Sequence, residues 1–308
     1  MSILLYESFE NKKNFLNLGK KIKLIPIQSN LKYKKDKVKF IYVKFSKHLS
    51  ANFLKKFINL KYIFTPTTGV NHIDKNFCKK KNIKIVSLKN KKHKIKKISS
   101  TTELALALII SSIRKLGYYF RKEKHQLASR YEYTFFEFKR YTIGIIGYGR
   151  IGSALFKILK NLKFNVYFFD IREKYKKHKN YLPLNKLLKI SNIISVHIDY
   201  RDENINFFNF SKFKLCKKNL ALINTSRGEV IDENSLISFL KKNHNSSAYL
   251  DVIQNEQLNK KKNKVVLYNK LNKNLFLTPH IGGAAKDALS LTENIILEDL
   301  YKIFKLKQ

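Results

Sequence analysis

Short apolar runs alternate with polar, helix-compatible stretches through the first hundred residues. SILLY (2–6), FIYVKF (40–45), YIFTP (62–66) and IKIVSL (83–88) have the length and continuity of buried strands. LSANFLKKFI (49–58) and KNFCKKKN (75–82) lie between them and suit helices. That alternation predicts a parallel sheet. KNKKHKIKK (89–97) reads as an exposed linker. STTELALALIISSIRKL (100–116) predicts a helix, with Thr101 or Thr102 as cap and Glu103 in its first turn.

The rhythm resumes at residue 142. TIGIIG, FNVYFFD (164–170), NIISVHI (192–198), LALIN (220–224), SAYLDV (247–252) and LFLTPH (275–280) read as strands. RIGSALFKILKNL, PLNKLLKI (183–190) and ENSLISFLKKN (233–243) read as helices, and KDALSLTENIILEDLYKIF (286–304) as a long final one. The chain is thus α/β, with two units and parallel sheets. The final helix has no strand of its own to cover, which points it back to the first unit.

Glycine is scarce, ten in 308 residues, yet four stand within TIGIIGYGRIGSALF (142–156). Gly147, Gly149 and Gly152 make G-x-G-x-x-G between a strand and a helix. The first glycine permits the tight turn, the second lets a pyrophosphate approach, and the third lets helix and strand pack closely. The N–H groups around Arg150 and Ile151 would face the anion. Asp170 closes the next strand, where a free carboxylate holds the ribose 2′-OH of NAD and repels the 2′-phosphate of NADP. Arg172 nearby leaves a small opening for NADP. A tight turn without a ligand is the plainer alternative.

The bulk numbers exclude more than they assign. With 44% hydrophobic and 13% aromatic residues the chain can bury a sizeable interior. Its apolar runs are too short to span a bilayer, and the N-terminus resembles neither a secretory signal nor a transit peptide. Cys78 and Cys216 give no disulfide framework and no metal-ligand spacing, so a reducing cytoplasm is the default and no metal is expected. The net charge of +41 raises the prospect of nucleic acid. However, 55 of the 63 basic residues are lysine, spread over the whole chain among abundant Ile, Asn, Phe and Tyr. Arginine, the usual reader of bases and phosphates, is scarce. We read the charge as compositional drift and a solvated surface, not as a nucleic-acid site.

Three later segments end strands with reactive groups. LINTSRGEVIDE (222–233) carries Arg227, LDVIQNEQL (250–258) carries Asp251 and Glu256, and LTPHIGGAAKDA (277–288) carries His280 before Gly282 and Gly283. In an open parallel sheet ligands gather at the carboxyl ends of strands. Taken singly, each residue has a blander reading. His280 could be a structural histidine, Arg227 could pair with Glu229 or Asp232, and Glu256 could be a solvated loop acid. Their co-occurrence with the glycine turn favours a site. His197 is left open between lining the cleft and packing, and His72 reads as structural.

These motifs, with TPTTGVNHID (65–74) and TTELALALIISSIRKL, resemble the D-isomer-specific 2-hydroxyacid dehydrogenases over nearly the whole chain. The resemblance implies a substrate domain of residues 1–99 plus 285–308, split by an inserted NAD domain of residues 100–284. It implies NAD as cofactor, a small 2-hydroxy or 2-keto acid as substrate, and a homodimer paired through the NAD domains. It further implies His280 as acid/base, Glu256 as its partner and Arg227 as the clamp on the substrate. Gly69 and Val70 would be backbone donors to the substrate carboxylate. Asp251 would orient the nicotinamide carboxamide, with Thr225, Ser226 and Gly282 at the same rim. TPHIGG leans towards a 3-phosphoglycerate dehydrogenase, with glyoxylate/hydroxypyruvate or phosphoerythronate reductases as alternatives. An NAD-sensing or nucleic-acid-binding protein without turnover is the reading from another class. Where the family commonly has an aromatic, Pro-Leu-Thr and Pro, this chain has Ile253, Asp199-Tyr200-Arg201 and Gln257.

Overall fold

A computed structural model describes residues 1–120, 134–256 and 262–303. The chain divides into two compact units, Met1–Ile98 with Ala285–Gln308, and Ser99–Ala284.

The first unit is built on five strands: β1 (Ile3–Tyr6), β2 (Lys23–Pro26), β3 (Val38–Tyr42), β4 (Tyr62–Phe64) and β5 (Lys84–Val86). They pair in parallel in the order β2-β1-β3-β4-β5. Helices α1 (Lys12–Gly19), α2 (Ala51–Leu54) and α3 (Lys75–Lys80) connect them. Alternate strand residues face opposite ways. Ile3, Leu5, Ile41 and Ile63 form one core with Leu54 and Cys78. Leu4, Phe40, Tyr42 and Phe64 form the other with Leu18 and with Ile295, Ile296, Leu297 and Leu300 of the long last helix. Each such fully buried side chain contributes roughly 1.5–3 kcal/mol.

That last helix (Lys286–Ile303 within the described residues; Phe304 lies outside them) therefore belongs to the first unit, as its missing strand suggested. Its Glu293 is fully buried and accepts hydrogen bonds from the backbone N–H groups of Glu10 (2.7 Å) and Asn11 (3.1 Å) at the start of α1. The basic stretch at 89–97 is mostly exposed, as its composition suggests, but it is anchored rather than loose. Leu88 and Ile95 are buried against the same helix, Lys91 pairs with its Asp299 at 2.7 Å, and Lys94 pairs with its Glu298.

The second unit opens with α4 (Ser100–Arg114) and α5 (Leu116–Phe120). The residue flanking α4 is Ser99, not Thr101 or Thr102; Thr101 donates its hydroxyl to the Gly282 carbonyl instead, at 2.9 Å. Six parallel strands follow: β6 (Thr142–Ile146), β7 (Asn165–Phe169), β8 (Ile193–Val196), β9 (Ala221–Asn224), β10 (Ser247–Leu250) and β11 (Leu275–Leu277). Their order is β11-β10-β9-β8-β6-β7. α4 and α6 (Arg150–Asn161) cover one face, through Ala105, Ile109, Leu155 and Leu159. α7 (Leu184–Ile190), α8 (Phe210–Leu215), α9 (Glu233–Lys242) and α10 (Lys264–Leu271) cover the other. The chain leaves β6 for β7 on one side and returns to β8 on the other, so the end of β6 is the topological switch point where such sheets bind ligands. No helix among the described residues is long and apolar enough to cross a membrane.

Candidate active site

The turn at the switch point explains each of its glycines. Gly147 has φ +96°, and a Cβ there would stand 2.6 Å from the carbonyl oxygen of His197. A Cβ on Gly152 would stand 2.0 Å from the carbonyl oxygen of Gly147. Both positions exclude a side chain on steric grounds. A Cβ on Gly149 would meet nothing within 4 Å. Gly149 is the N-cap of α6, so the backbone is uncrowded on its Cβ side at the start of a twelve-residue helix, whose first N–H groups have no intrahelical partner. A pyrophosphate fits that cradle.

Asp170 sits just past β7, and its carboxylate is not free. One oxygen accepts from the backbone N–H and Nε of Arg172 (3.0 and 2.7 Å), the other from Tyr148 N–H and the Arg172 guanidinium (both 2.8 Å). Burial alone would raise its pKa, but these donors outweigh burial and hold the carboxyl below its usual range. The Arg172 guanidinium also lies 4.6 Å from the ring centroid of Tyr175. The expected acid is in place, with a cation already clamped to it.

Past β8, His197 bonds to Ser195 Oγ through Nε2 at 2.8 Å, while its buried Nδ1 has no partner. Burial pulls its pKa from the ordinary 6.5 down to about 4, so the ring is neutral near pH 7. Past β9, Asn224 folds the turn. Its Oδ1 accepts from Ser226 N–H (3.0 Å) and Ser226 Oγ (2.7 Å), and its Nδ2 donates to the Arg227 carbonyl (2.9 Å). Arg227 donates one guanidinium N–H to the Ser226 carbonyl at 2.6 Å, and its buried Nε has no partner. Burial lowers its pKa, against the opposing charges of Glu229 and Glu256. Thr225 Oγ1 is likewise buried and unpartnered. A buried polar atom without a partner costs about 1–3 kcal/mol. Three of them at the ends of β8 and β9 mark where a polar ligand would complete the bonding.

Past β10, Asp251 is buried and committed to the loop after β11. Its oxygens accept from Thr278 Oγ1 (2.6 Å), Ile281 N–H (2.8 Å) and Gly282 N–H (2.8 Å). That loop carries His280 in the left-handed region, φ +59°. The loop carrying Glu256 has its own left-handed residue, Asn255, at φ +50°. Such conformations cost about 1–3 kcal/mol and persist where the surroundings enforce them. Here they aim the two side chains at each other, and His280 Nδ1–H donates to Glu256 Oε1. The pair is mostly shielded, with 24% and 11% of the side chains exposed.

The structure therefore brings Arg227, Glu256 and His280 into one neighbourhood of the second unit. Gly69 and Val70 belong to the first unit, in the half-buried loop after β4. There the Gly69 carbonyl accepts from Thr67 Oγ1 (2.7 Å) and the Val70 carbonyl from Ile73 N–H (3.1 Å). His72 is buried in the same unit beside Phe45 and within 3.3 Å of Thr65 Oγ1. Among the described residues no group of acids, histidines and cysteines could hold a metal ion.

Two family profiles match the chain: "D-isomer specific 2-hydroxyacid dehydrogenase, NAD binding domain" over residues 106–282, and the corresponding "catalytic domain" over residues 10–164. The chain belongs to the D-isomer specific 2-hydroxyacid dehydrogenase family. It is an NAD-dependent member whose catalytic domain is split around an inserted NAD-binding domain. It is 26% identical over 258 residues to the glycerate dehydrogenase of Methylorubrum extorquens, covering 82% of this chain and 78% of that protein. It is 27% identical over 273 residues to the D-3-phosphoglycerate dehydrogenase of Archaeoglobus fulgidus, covering 87% of this chain and 50% of that one. The crystal structure of Aquifex aeolicus D-lactate dehydrogenase with NAD and lactic acid superposes with a TM-score of 0.83 at 26% identity, over 99% of this chain and 96% of that one.

The glycine cradle and the unpartnered polar atoms beyond it fit the NAD of this family. Its departures from the family's usual residues settle locally: Asp199 and Arg201 pair with each other at 3.0 Å, and Asn204 donates to the Asp199 carbonyl at 2.8 Å. Gln257 lies outside the described residues. Sequence reasoning passed over Gly228, where a Cβ would come within 1.9 Å of the Ile253 carbonyl carbon. This glycine lets the Arg227 and Glu256 loops touch. Its signal was available in the Arg-Gly pair of NTSRG.

Proposed function

We propose that the enzyme interconverts a small 2-keto acid and its D-2-hydroxy acid, with His280 as acid/base, Glu256 as its partner and Arg227 as substrate clamp. The observation that carries this is the His280–Glu256 hydrogen bond beside a buried arginine, at the strand ends next to the NAD cradle. In the reducing direction His280 gives a proton to the C2 oxygen from Nε2, while Glu256 holds Nδ1–H and fixes the ring's orientation. The planar fork of Arg227 suits the substrate carboxylate or carbonyl, and binding satisfies its buried Nε. Thr225, Ser226, Asp251 and Gly282 border the nicotinamide, with Arg150 and Ile151 on the pyrophosphate. The bound nicotinamide supplies or accepts the hydride at C2.

Among substrates the reading favours 3-phosphoglycerate and its keto form, on the TPHIGG loop and the lysine-rich surface. Glyoxylate, hydroxypyruvate and phosphoerythronate stand as its competitors. The reading includes a cytoplasmic homodimer, which light scattering tests. The direct experiment is NADH oxidation with 3-phosphohydroxypyruvate, hydroxypyruvate, glyoxylate and pyruvate. Turnover of at least one is expected; no turnover of any contradicts the proposal. A nucleic-acid shift run beside it should vanish at physiological salt, as expected for counterion release alone.

A further inference from the structure

A buried carboxylate stands behind the loop that carries Glu256. Glu233 is the first residue of α9, where an acid normally faces solvent and the helix dipole. Instead it is only 8% exposed. Its Oε1 accepts from the backbone N–H of Gln254 at 2.7 Å, and both of its oxygens accept from Asn263 Nδ2, at 3.2 and 2.9 Å. The same Asn263 amide donates to the Gln254 carbonyl at 3.1 Å, and its Oδ1 caps α10. Gln254 in turn donates from Nε2 to the Ile231 carbonyl (2.7 Å) and to Asn206 Oδ1 (2.9 Å). Both backbone polar groups of Gln254 and its side chain are therefore tied down. Gly228 presses on Ile253 just before it, and the left-handed Asn255 turns the chain just after it, into Glu256.

For stability this is a poor choice. No cation forms a salt bridge with Glu233 among the described residues, and the like charges of Glu229 and Asp232 act on it. Burial and those two charges raise its pKa, against the hydrogen bonds from Gln254 and Asn263. An uncompensated buried charge is costly, and a packed apolar residue would serve folding as well or better. What an apolar residue could not supply is two acceptors that fix the backbone two residues ahead of Glu256.

We propose that Glu233 is a positioning residue for the reaction: through Gln254 and Asn263 it sets Glu256 against His280. The inference rests on the acid/base reading above, with Glu256 as the group it acts through.

A double-mutant cycle tests it on the full-length enzyme, with NADH and the 2-keto acids named above. Glu233→Gln places an amide N–H₂ against the donors it now accepts from, which loosens the loop. Misplacing a reacting group by about 1 Å costs up to ~100-fold. We expect a kcat loss of roughly tenfold or more within that range, with NADH affinity and keto-acid KM within about twofold. In a Glu256→Gln background the same substitution should cost nothing further, because its target is already gone. Equal losses in both backgrounds, or no loss in the wild-type background, overturn the inference. Asn263→Ser keeps a cap on α10 and removes the amide, so it serves if Glu233→Gln does not fold. It should lower kcat alone, and unchanged kcat overturns the inference too. Glu256→Gln with undiminished kcat would instead overturn the acid/base reading itself.

Discussion

The glycine turn after β6 and the Arg227–Glu256–His280 cluster are built on opposite principles. The turn is local. Gly147, Gly149 and Gly152 lie within six residues, and their roles follow from absent side chains and a helix end. The cluster is assembled from loops after three strands, and buried or half-buried polar groups hold it: Asn224 for the Arg227 turn, Glu233 and Asn263 for the Glu256 loop, Asp251 for the His280 loop. Cofactor binding can therefore survive damage that stops chemistry, and substitutions should separate the two.

The largest separation is expected from His280→Ala. Losing the proposed proton carrier should lower kcat by about 10²–10⁴-fold or to background, while NADH binds nearly as before. A kcat within tenfold of wild type would remove His280 from its role. Gly228→Ala comes next, because a Cβ there would collide with the Ile253 backbone and push the Arg227 and Glu256 loops apart. Turnover should fall by up to about 100-fold, as expected for a displacement near 1 Å, with NADH binding largely retained. Matching losses of both would show that the two regions are not independent. Arg227→Lys keeps the charge and loses the fork, so it should raise keto-acid KM and lower kcat by roughly tenfold or more.

Smaller effects lie on the cofactor side. Asp170→Ala should weaken NADH more than NADPH, since it deletes the acid and releases Arg172, a potential partner for a 2′-phosphate. Equal losses would count against the ribose assignment. The last effect is one of pH, read on stability rather than on turnover. The folded-state pKa of His197, about 4 against an ordinary 6.5, means that the unfolded chain binds a proton the native chain refuses between those values. Its contribution to stability is intact above pH 6.5 and is lost as pH falls towards 4. Urea midpoints of wild type and His197→Gln should converge over that window; a constant difference would contradict the assignment.

The same contrast decides what was legible in the sequence. Local signals were readable: the apolar runs became strands, and the glycine spacing placed the switch point. β2 was missed because KLIP, with a lysine and a proline, lacks the alternation of the other strands, as an edge strand can. The start of α4 was misread because the Thr101 hydroxyl serves Gly282, far along the chain. The exposure of the basic stretch at 89–97 was legible in its composition, but its anchors were not, because Asp299 and Glu298 lie some two hundred residues away. Asp170 was placed on its strand, but its clamp by Arg172 is a side-chain choice that a motif does not specify. Arg227, Glu256 and His280 could be named from their positions after strands. The buried groups that hold them, Glu233 above all, carry no spacing of their own.

At the centre stands the proposal that this cluster reduces C2 with the hydride of an NADH whose pyrophosphate lies on the glycine turn. The most direct measurement follows that hydride. NADH deuterated on the transferable C4 position is incubated with the enzyme and each of the four keto acids, and the product is examined by NMR and chiral chromatography. Deuterium at C2 of the hydroxy acid is the expected result, in the D configuration for the three acids whose C2 becomes a stereocentre. NADH left unconsumed by all four acids, or deuterium lost to water, would contradict the account.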